Sequence, residues 1–409
     1  MNKKKLLFLG GIMQQIPAIK RAKGLGYYLI TADYNPNNVG HQFADEYHNV
    51  STTDLEGVLA LAEKLKIDGI VAYASDPAAP TAAYVAEKLG LPGNPYTSVR
   101  ILTEKDLFRD FLAEHGFTCP PHKGFTDPVA AEDFIKSQDA NSLWMVKPVD
   151  ASGSKGVVKV SPTGDVEAAV AEAYSYSRAK RVIVEHFINK KGYQISGDGF
   201  SIDGKLVFTS YGNELYSGKG TRDYVALGEF WPSFLTLEQK EKVDTELQRL
   251  ITALGMRTCA YNIEVILDEE DNVYILELGP RNGGSYIPQL IQYTTGVDMV
   301  TPTLQAAVGD LISADLSDFR SSDRNTYQFV SNYMIYSTRC GKFKQLVFDT
   351  EFEKNNLLEA NCNAVLGEDI HAYQNTSHSI GTIIFKTSSL EEMLRITADL
   401  SKYYRVEVE

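Results

Sequence analysis

Short apolar runs, punctuated by glycine, proline and acidic turns, recur along the whole chain. Between residues 1 and 95 the runs Leu6–Leu9, Tyr28–Ala32 and Gly69–Ala72 alternate with stretches of helical spacing, which predicts a parallel sheet crossed by helices. Further along, Leu143–Val146, Val157–Val160, Arg181–Ile188 and Tyr193–Phe200 read as strands. Tyr261–Leu267 and Val273–Leu278 read as a hairpin closed by Glu269, Glu270, Asp271 and Asn272. Strands around Gln328–Tyr336 and Ser379–Lys386, then a terminal helix and strand, complete the pattern, and no internal repeat or low-complexity run interrupts it.

The hairpin carries the sharpest chemical signal. If Asp268 pairs with Val273, then Ile263 faces Leu278, Val265 faces Leu276, Leu267 faces Tyr274 and Glu264 faces Glu277. One face is apolar. The other sets two carboxylates with Cβ atoms about 5 Å apart, which is destabilising unless a proton or cation lies between them. Mg²⁺ meets that need, because it takes one or two protein carboxylates together with phosphate oxygens and water; glutamates that simply face solvent are the alternative. Just beyond stands Arg281, whose guanidinium suits a phosphate or carboxylate, among Gly279, Gly283 and Gly284, which let the backbone approach a ligand closely.

Upstream, Lys147 ends an apolar strand and runs into Asp150-Ala-Ser-Gly-Ser-Lys-Gly156. Ser152, Gly153, Ser154 and Gly156 there offer amides and hydroxyls to anionic oxygens, although a plain glycine–serine turn has the same composition. It is no Walker A loop, since the spacing is absent and a strand follows rather than a helix. The strand that carries Glu185 and leads to Phe187 could pair with adenine through its backbone, with Gln194 within reach of a ribose; an ordinary buried strand is the alternative. The segment Tyr211–Ser233, with Glu214, Tyr216, Lys219, Arg222 and Glu229, reads either as part of an acceptor pocket or as a surface loop.

Order and spacing join these signals. Thr103-Glu-Lys105 with Arg109, Lys147 before its glycine–serine loop, the hinge strand, and a glutamate followed by E-x-G-P-R-x-G-G resemble the ATP-grasp superfamily. The pattern is nearest to its biotin-carboxylase-like, carbamoyl-phosphate-synthase-like and phosphoribosylglycinamide-synthetase-like carboxylate–amine ligases. Gly10-Gly11 and Glu87-Lys-Leu-Gly-Leu-Pro-Gly93 extend the likeness. The resemblance implies an α/β and α+β architecture: a Rossmann-like pre-grasp domain at 1–95, a two-subdomain ATP-grasp core at 96–310 and a C-terminal lid domain at 311–409.

It also implies roles. Lys105 and Lys147 contact ATP phosphates under the Ser152–Gly156 loop, Glu185 and Phe187 lie on the adenine hinge, and Gln194 reaches the ribose. Glu264 and Glu277 bind Mg²⁺, with Mn²⁺ as an alternative, and Arg281 stabilises an acyl phosphate or tetrahedral intermediate. Two positions depart from the family: Gln194 stands in place of a glutamate and Gly279 in place of an asparagine. A second ion would then lose a ligand, take water or recruit Asn282. The implied reaction is activation of a small carboxylate by ATP and attack by an amine. A purine-pathway ligase of the phosphoribosylglycinamide or aminoimidazole type and a non-catalytic ATP-binding module are the alternatives. A nicotinamide enzyme ranks below them, because Gly10-Gly11 lacks the G-x-G-x-x-G context.

Composition narrows the class further. With 409 residues, 44% hydrophobic and 23% charged, the chain suits a soluble globular protein of two or three domains. A net charge of −13 argues against a nucleic-acid partner. The longest apolar runs fall short of a membrane span, and the apolar stretch near Met1 lacks a cleavage site. Four cysteines without C-x-x-C spacing suggest neither zinc nor a disulfide framework, and a cytoplasmic setting follows. The expected partners are small-molecule carboxylates and amines, without nucleic acid or membrane, in a monomer or homodimer.

Overall fold

A computed structural model describes residues 3–216, 226–312, 316, 329–373 and 378–409. The strands Lys5–Leu9, Tyr28–Ala32 and Gly69–Ala72 pair in parallel as the alternation predicts, and the short strand Glu46–His48 adds an edge. Leu6, Leu7, Phe8 and Leu9 are all fully buried because this sheet is covered on both faces. Leu7 and Leu9 pack with Val58 and Ala83, and Leu6 and Phe8 pack with Ile19 and Leu304. Leu304 belongs to the helix Val300–Ala307, so a distant part of the chain closes this core.

A second, antiparallel sheet runs in the order His122–Phe125, Val182–His186, Trp144–Pro148, Val158–Val160. Helices Pro128–Lys136 and Val166–Tyr176 bury its apolar face through Ala131, Ile135, Val170 and Ala173. Asp127 and Asp165 cap these helices by accepting from the amides of Val129 and Ala168.

The largest sheet has eight strands. Its order is Val273–Gly279, Cys259–Leu267, Ile195–Ile202, Lys205–Tyr216, Ala226–Trp231, Phe329–Tyr336, Ser379–Thr387, Leu357–Cys362. The strands after residue 328 therefore continue the sheet that carries the hairpin: Glu229 lies opposite Asn332, and Phe230 opposite Ser331. A three-stranded sheet, Asp369–Ile370, Gly341–Phe348 and Tyr404–Val408, packs nearby through Phe343, Ile370 and Val408. No helix among the described residues is long and apolar enough to cross a membrane. Lys219, Arg222 and Gln328 lie outside the described residues.

The hairpin forms with one change of register. Ile263 pairs with Leu278 and Glu264 with Glu277, as expected. A bulge then intervenes, and Val265 meets Ile275, Ile266 meets Tyr274 and Leu267 meets Val273. Leu276 is the extra residue, so the expected Val265–Leu276 and Leu267–Tyr274 pairs are not made. The loop has five residues rather than four, and Asp268, expected to pair with Val273, instead accepts from the amides of Glu270 and Asn272 at 3.0 and 2.9 Å.

Candidate functional site

A cavity of about 530 Å³ opens where the second sheet faces the largest one. Lys105, Lys147, the Ser152–Lys155 loop, Glu185 to Ile188, Gln194, Glu264, Glu277 and Arg281 all contribute to its wall. Residues scattered over 177 positions of sequence thus converge because two strand ends, one helix start and one hairpin meet there. Of the residues assigned to ATP, metal or catalysis from the sequence, only Gly156 stays off the wall. Its φ of +69° and the ring of Tyr176, 2.8 Å from where a Cβ would stand, explain the glycine.

At one end the lysines are held rigidly. Lys147 ion-pairs with Glu185, whose other oxygen accepts from Arg109 Nε at 2.9 Å. Burial alone would raise the Glu185 pKa, but the Arg109 and Lys147 charges outweigh it and hold the carboxyl down at about 2. The side chain of Glu185 is therefore turned to these cations, and its backbone lies in the sheet opposite His122 and Met145; the amides of His186 and Phe187 are occupied by the carbonyls of Pro121 and Leu143. Arg109 also donates to the carbonyls of Ile275 and Leu276 at 3.3 and 3.0 Å, which fixes the bulge. Lys105 begins the helix Lys105–Glu114; its Nζ donates to the Ala151 carbonyl at 2.9 Å and lies 3.5 Å from Glu277. The loop adopts left-handed conformations at Gly153 and Ser154, with φ of 67° and 56°, a geometry that turns successive amides toward one side. The Lys159 ammonium sits 5.1 Å above the Phe187 ring.

The hairpin carboxylates line the same cavity, with Glu277 beside Lys105. Glu264 and Glu277 are directly opposed, and Gln194 Nε2 donates to Glu264 at 3.2 Å. Glu264 is partly open to the cavity but withdrawn from bulk water; burial, then the charges of Glu214 and Glu277, raise its pKa well above the usual range. Among the described residues no three histidine, cysteine or acidic side chains are placed to hold a metal by themselves. A cation at this pair would need oxygens from a ligand or water.

Arg281 is buried and ion-paired with Asp76, which follows the fourth strand of the parallel sheet. This pair accounts for Gly279: a Cβ there would lie 2.9 Å from Asp76 Oδ1 and 3.3 Å from the Arg281 guanidinium carbon. Asn282 does not reach the cavity wall; its side chain is fully buried against Met299. Asn262, opposite Gly279 and two residues before Glu264, does line the wall. Asp198 accepts from the Gly283 amide with both oxygens at 2.9 Å and fixes the Pro280–Gly284 turn. Burial raises its pKa to about 7, against the hydrogen bond from Gly283 and the charge of Arg281.

Sequence reasoning missed Asp76, Asp198 and Asn262. Asp76 had a usable signal, a carboxylate just past the carboxyl end of a parallel strand. Asp198 and Asn262 had a weaker one, a polar residue inside an otherwise apolar strand.

Residues 142–289 match the family model described as the ATP-grasp domain. The chain is 26% identical over 273 residues to an uncharacterized protein of Sinorhizobium fredii, covering 65% of this chain and 55% of that one. It is 24% identical over 321 residues to the carbamoyl phosphate synthase large chain of Thermotoga petrophila, covering 77% of this chain and 27% of that one. The chain thus spans about half and about a quarter of these relatives' lengths. The structure of L-amino acid ligase from Bacillus licheniformis superposes with a TM-score of 0.81 over 100% of both chains at 22% identity, a likeness of fold.

Proposed function

We propose that this chain, whose residues 142–289 match the ATP-grasp domain, is an ATP-dependent ligase that activates a small carboxylate as an acyl phosphate for attack by an amine. The convergence of Lys105, Lys147 and the Gly153–Ser154 loop on the cavity that also holds the paired Glu264 and Glu277 carries this reading. Residues 1–95, 96–310 and 311–409 serve in it as pre-grasp, grasp and lid parts.

In this reading the Ser152–Lys155 loop covers the phosphates, and Lys147 and Lys105 offset their charge. The backbone between Glu185 and Ile188 receives the base, and Gln194 stands beside the ribose. Mg²⁺, or Mn²⁺, suits Glu264 and Glu277, because opposed carboxylates with a raised Glu264 pKa are relieved by a cation completed with phosphate oxygens and water. When bound it neutralises charge on the transferring phosphoryl group. Arg281, released from Asp76 or shared with it, faces the oxyanion that develops as the acid is activated. A cytoplasmic setting accords with the free cysteines.

Phosphate release from ATP and Mg²⁺, measured against a library of amino acids and small carboxylates, tests the proposal. Release that depends on one acid and falls at least about 100-fold in Glu277→Gln is expected, given the size of single electrostatic contributions to catalysis. ATP binding without turnover for every acid and amine would point instead to a binding module.

A further inference from the structure

The cavity has an acidic end that phosphate handling leaves unused. Glu214 and Glu229 face each other across the strands Lys205–Tyr216 and Ala226–Trp231, and both line the cavity near the hairpin carboxylates. Each is only 8% exposed. Glu214 accepts from the Tyr216 hydroxyl at 2.7 Å. Glu229 keeps one carboxylate oxygen, Oε2, buried with no hydrogen-bond partner.

Two opposed carboxylates away from water are unfavourable unless something joins them. Acids that serve only each other share a proton through a short hydrogen bond, and none joins Glu214 to Glu229. Among the described residues that line the cavity, Lys105 pairs with Glu277, Lys147 with Glu185 and Arg281 with Asp76. The charge of Lys190 opposes the rise in the Glu214 pKa. Burial, then Glu229, pushes the Glu214 pKa up to about 8. Burial, then Glu264 and Asp198 against a hydrogen bond from Asn332, does the same for Glu229. A cation entering here would relieve both acids at once.

We propose that Glu214 and Glu229 bind a protonated primary amine of the substrate. An ammonium group offers three donors in a small volume, one for the vacant Glu229 Oε2 and others for Glu214. The proposal deepens the ligase reading and rests on it for the reaction, but the amine site itself stands on the acid pair. The amine belongs either to the acid being activated, as in an amino acid, or to the nucleophile.

The test is thermal shift and titration calorimetry on the full chain, with and without Mg²⁺ and a non-hydrolysable ATP analogue. The probes are the standard amino acids, their 2-hydroxy-acid counterparts, and ethanolamine and putrescine. At least one amine-bearing probe is expected to raise Tm where its hydroxy counterpart does not. Glu229→Gln and Glu214→Gln should each weaken that probe at least tenfold, while nucleotide binding by each variant reports that it has folded. Amino acids alone as ligands would assign the amine to the activated acid, and binding of carboxylate-free amines would assign it to the nucleophile. Calorimetry in buffers of different ionisation heat should also detect protons released as the acids ionise. No shift with any amine at millimolar concentration, an undiminished shift in both variants, or the same signal from Mg²⁺ alone would overturn the proposal. A bound amine with no ADP formed from ATP would overturn the ligase reading and leave the amine site standing.

Discussion

Glu229 titrates far from its unfolded value, and that difference makes stability depend on pH. The carboxyl has an ordinary pKa of 4.5 and is raised to about 8 in the fold, by burial first and then by Glu264 and Asp198. Between those values the native protein binds the extra proton, so stability present below pH 4.5 is lost as pH rises through about 8. In cation-free buffer Glu229→Gln should match the wild type near pH 4.5 and melt higher at pH 8.5. Each kcal/mol of that difference appears as about 1 °C in a chain of this size, because the entropy of unfolding grows with length. A Tm gap that stays constant from pH 4.5 to 8.5 would show that the acid is not titrating in the fold. Glu185 illustrates the opposite sign: with Arg109 and Lys147 beside it the carboxyl sits at about 2, and its contribution fades only as pH falls from the ordinary 4.5 through that value.

At the level of elements, the bulge at Leu276 decides which side chains see the cavity. Ile275 is 3% exposed and belongs to the core, whereas Leu276 lines the cavity. Ile275→Ala should cost about 2–5 kcal/mol of stability. Leu276→Ala should leave Tm nearly unchanged and weaken ATP binding, as calorimetric titration would show; equal losses of stability in both variants would contradict the bulged register.

The strands themselves were legible in sequence because each is a short apolar run between turn residues; the Glu264–Glu277 pairing, inferred from a four-residue loop, holds because the bulge at Leu276 offsets the extra loop residue. The bulge was not legible. Tyr274, Ile275 and Leu276 are all good strand formers, and the shift is held by Arg109, which reaches the carbonyls of Ile275 and Leu276 from 166 and 167 positions away. The Glu185 side chain was hidden for the same reason, since its partner Arg109 lies 76 positions upstream. Glu46–His48 escaped notice because it has only three residues, all of them polar or ionisable, and so shows no apolar run.

For the whole molecule, the continuity of the eight-stranded sheet matters most. A chain ended after residue 310 would lose Phe329–Tyr336 and leave Ala226–Trp231 as an open edge, with Phe230 and Trp231 stripped of neighbours that bury them. Such an edge is an aggregation template. The shortened protein should elute as aggregate on size-exclusion chromatography, and a monodisperse, cooperatively melting fragment would refute that dependence.

The same continuity has an implication for how such a protein diversifies. Lys105, Lys147 and the covering loop of the cavity are drawn from residues 105–188, while Met334, Asn361, Asn363, Ser379 and Thr382 also line it. The two groups are therefore separable along the chain: exchange of the segments that follow Arg281 would alter that part of the wall while residues 105–281, which carry the lysines and the paired carboxylates, pass on intact.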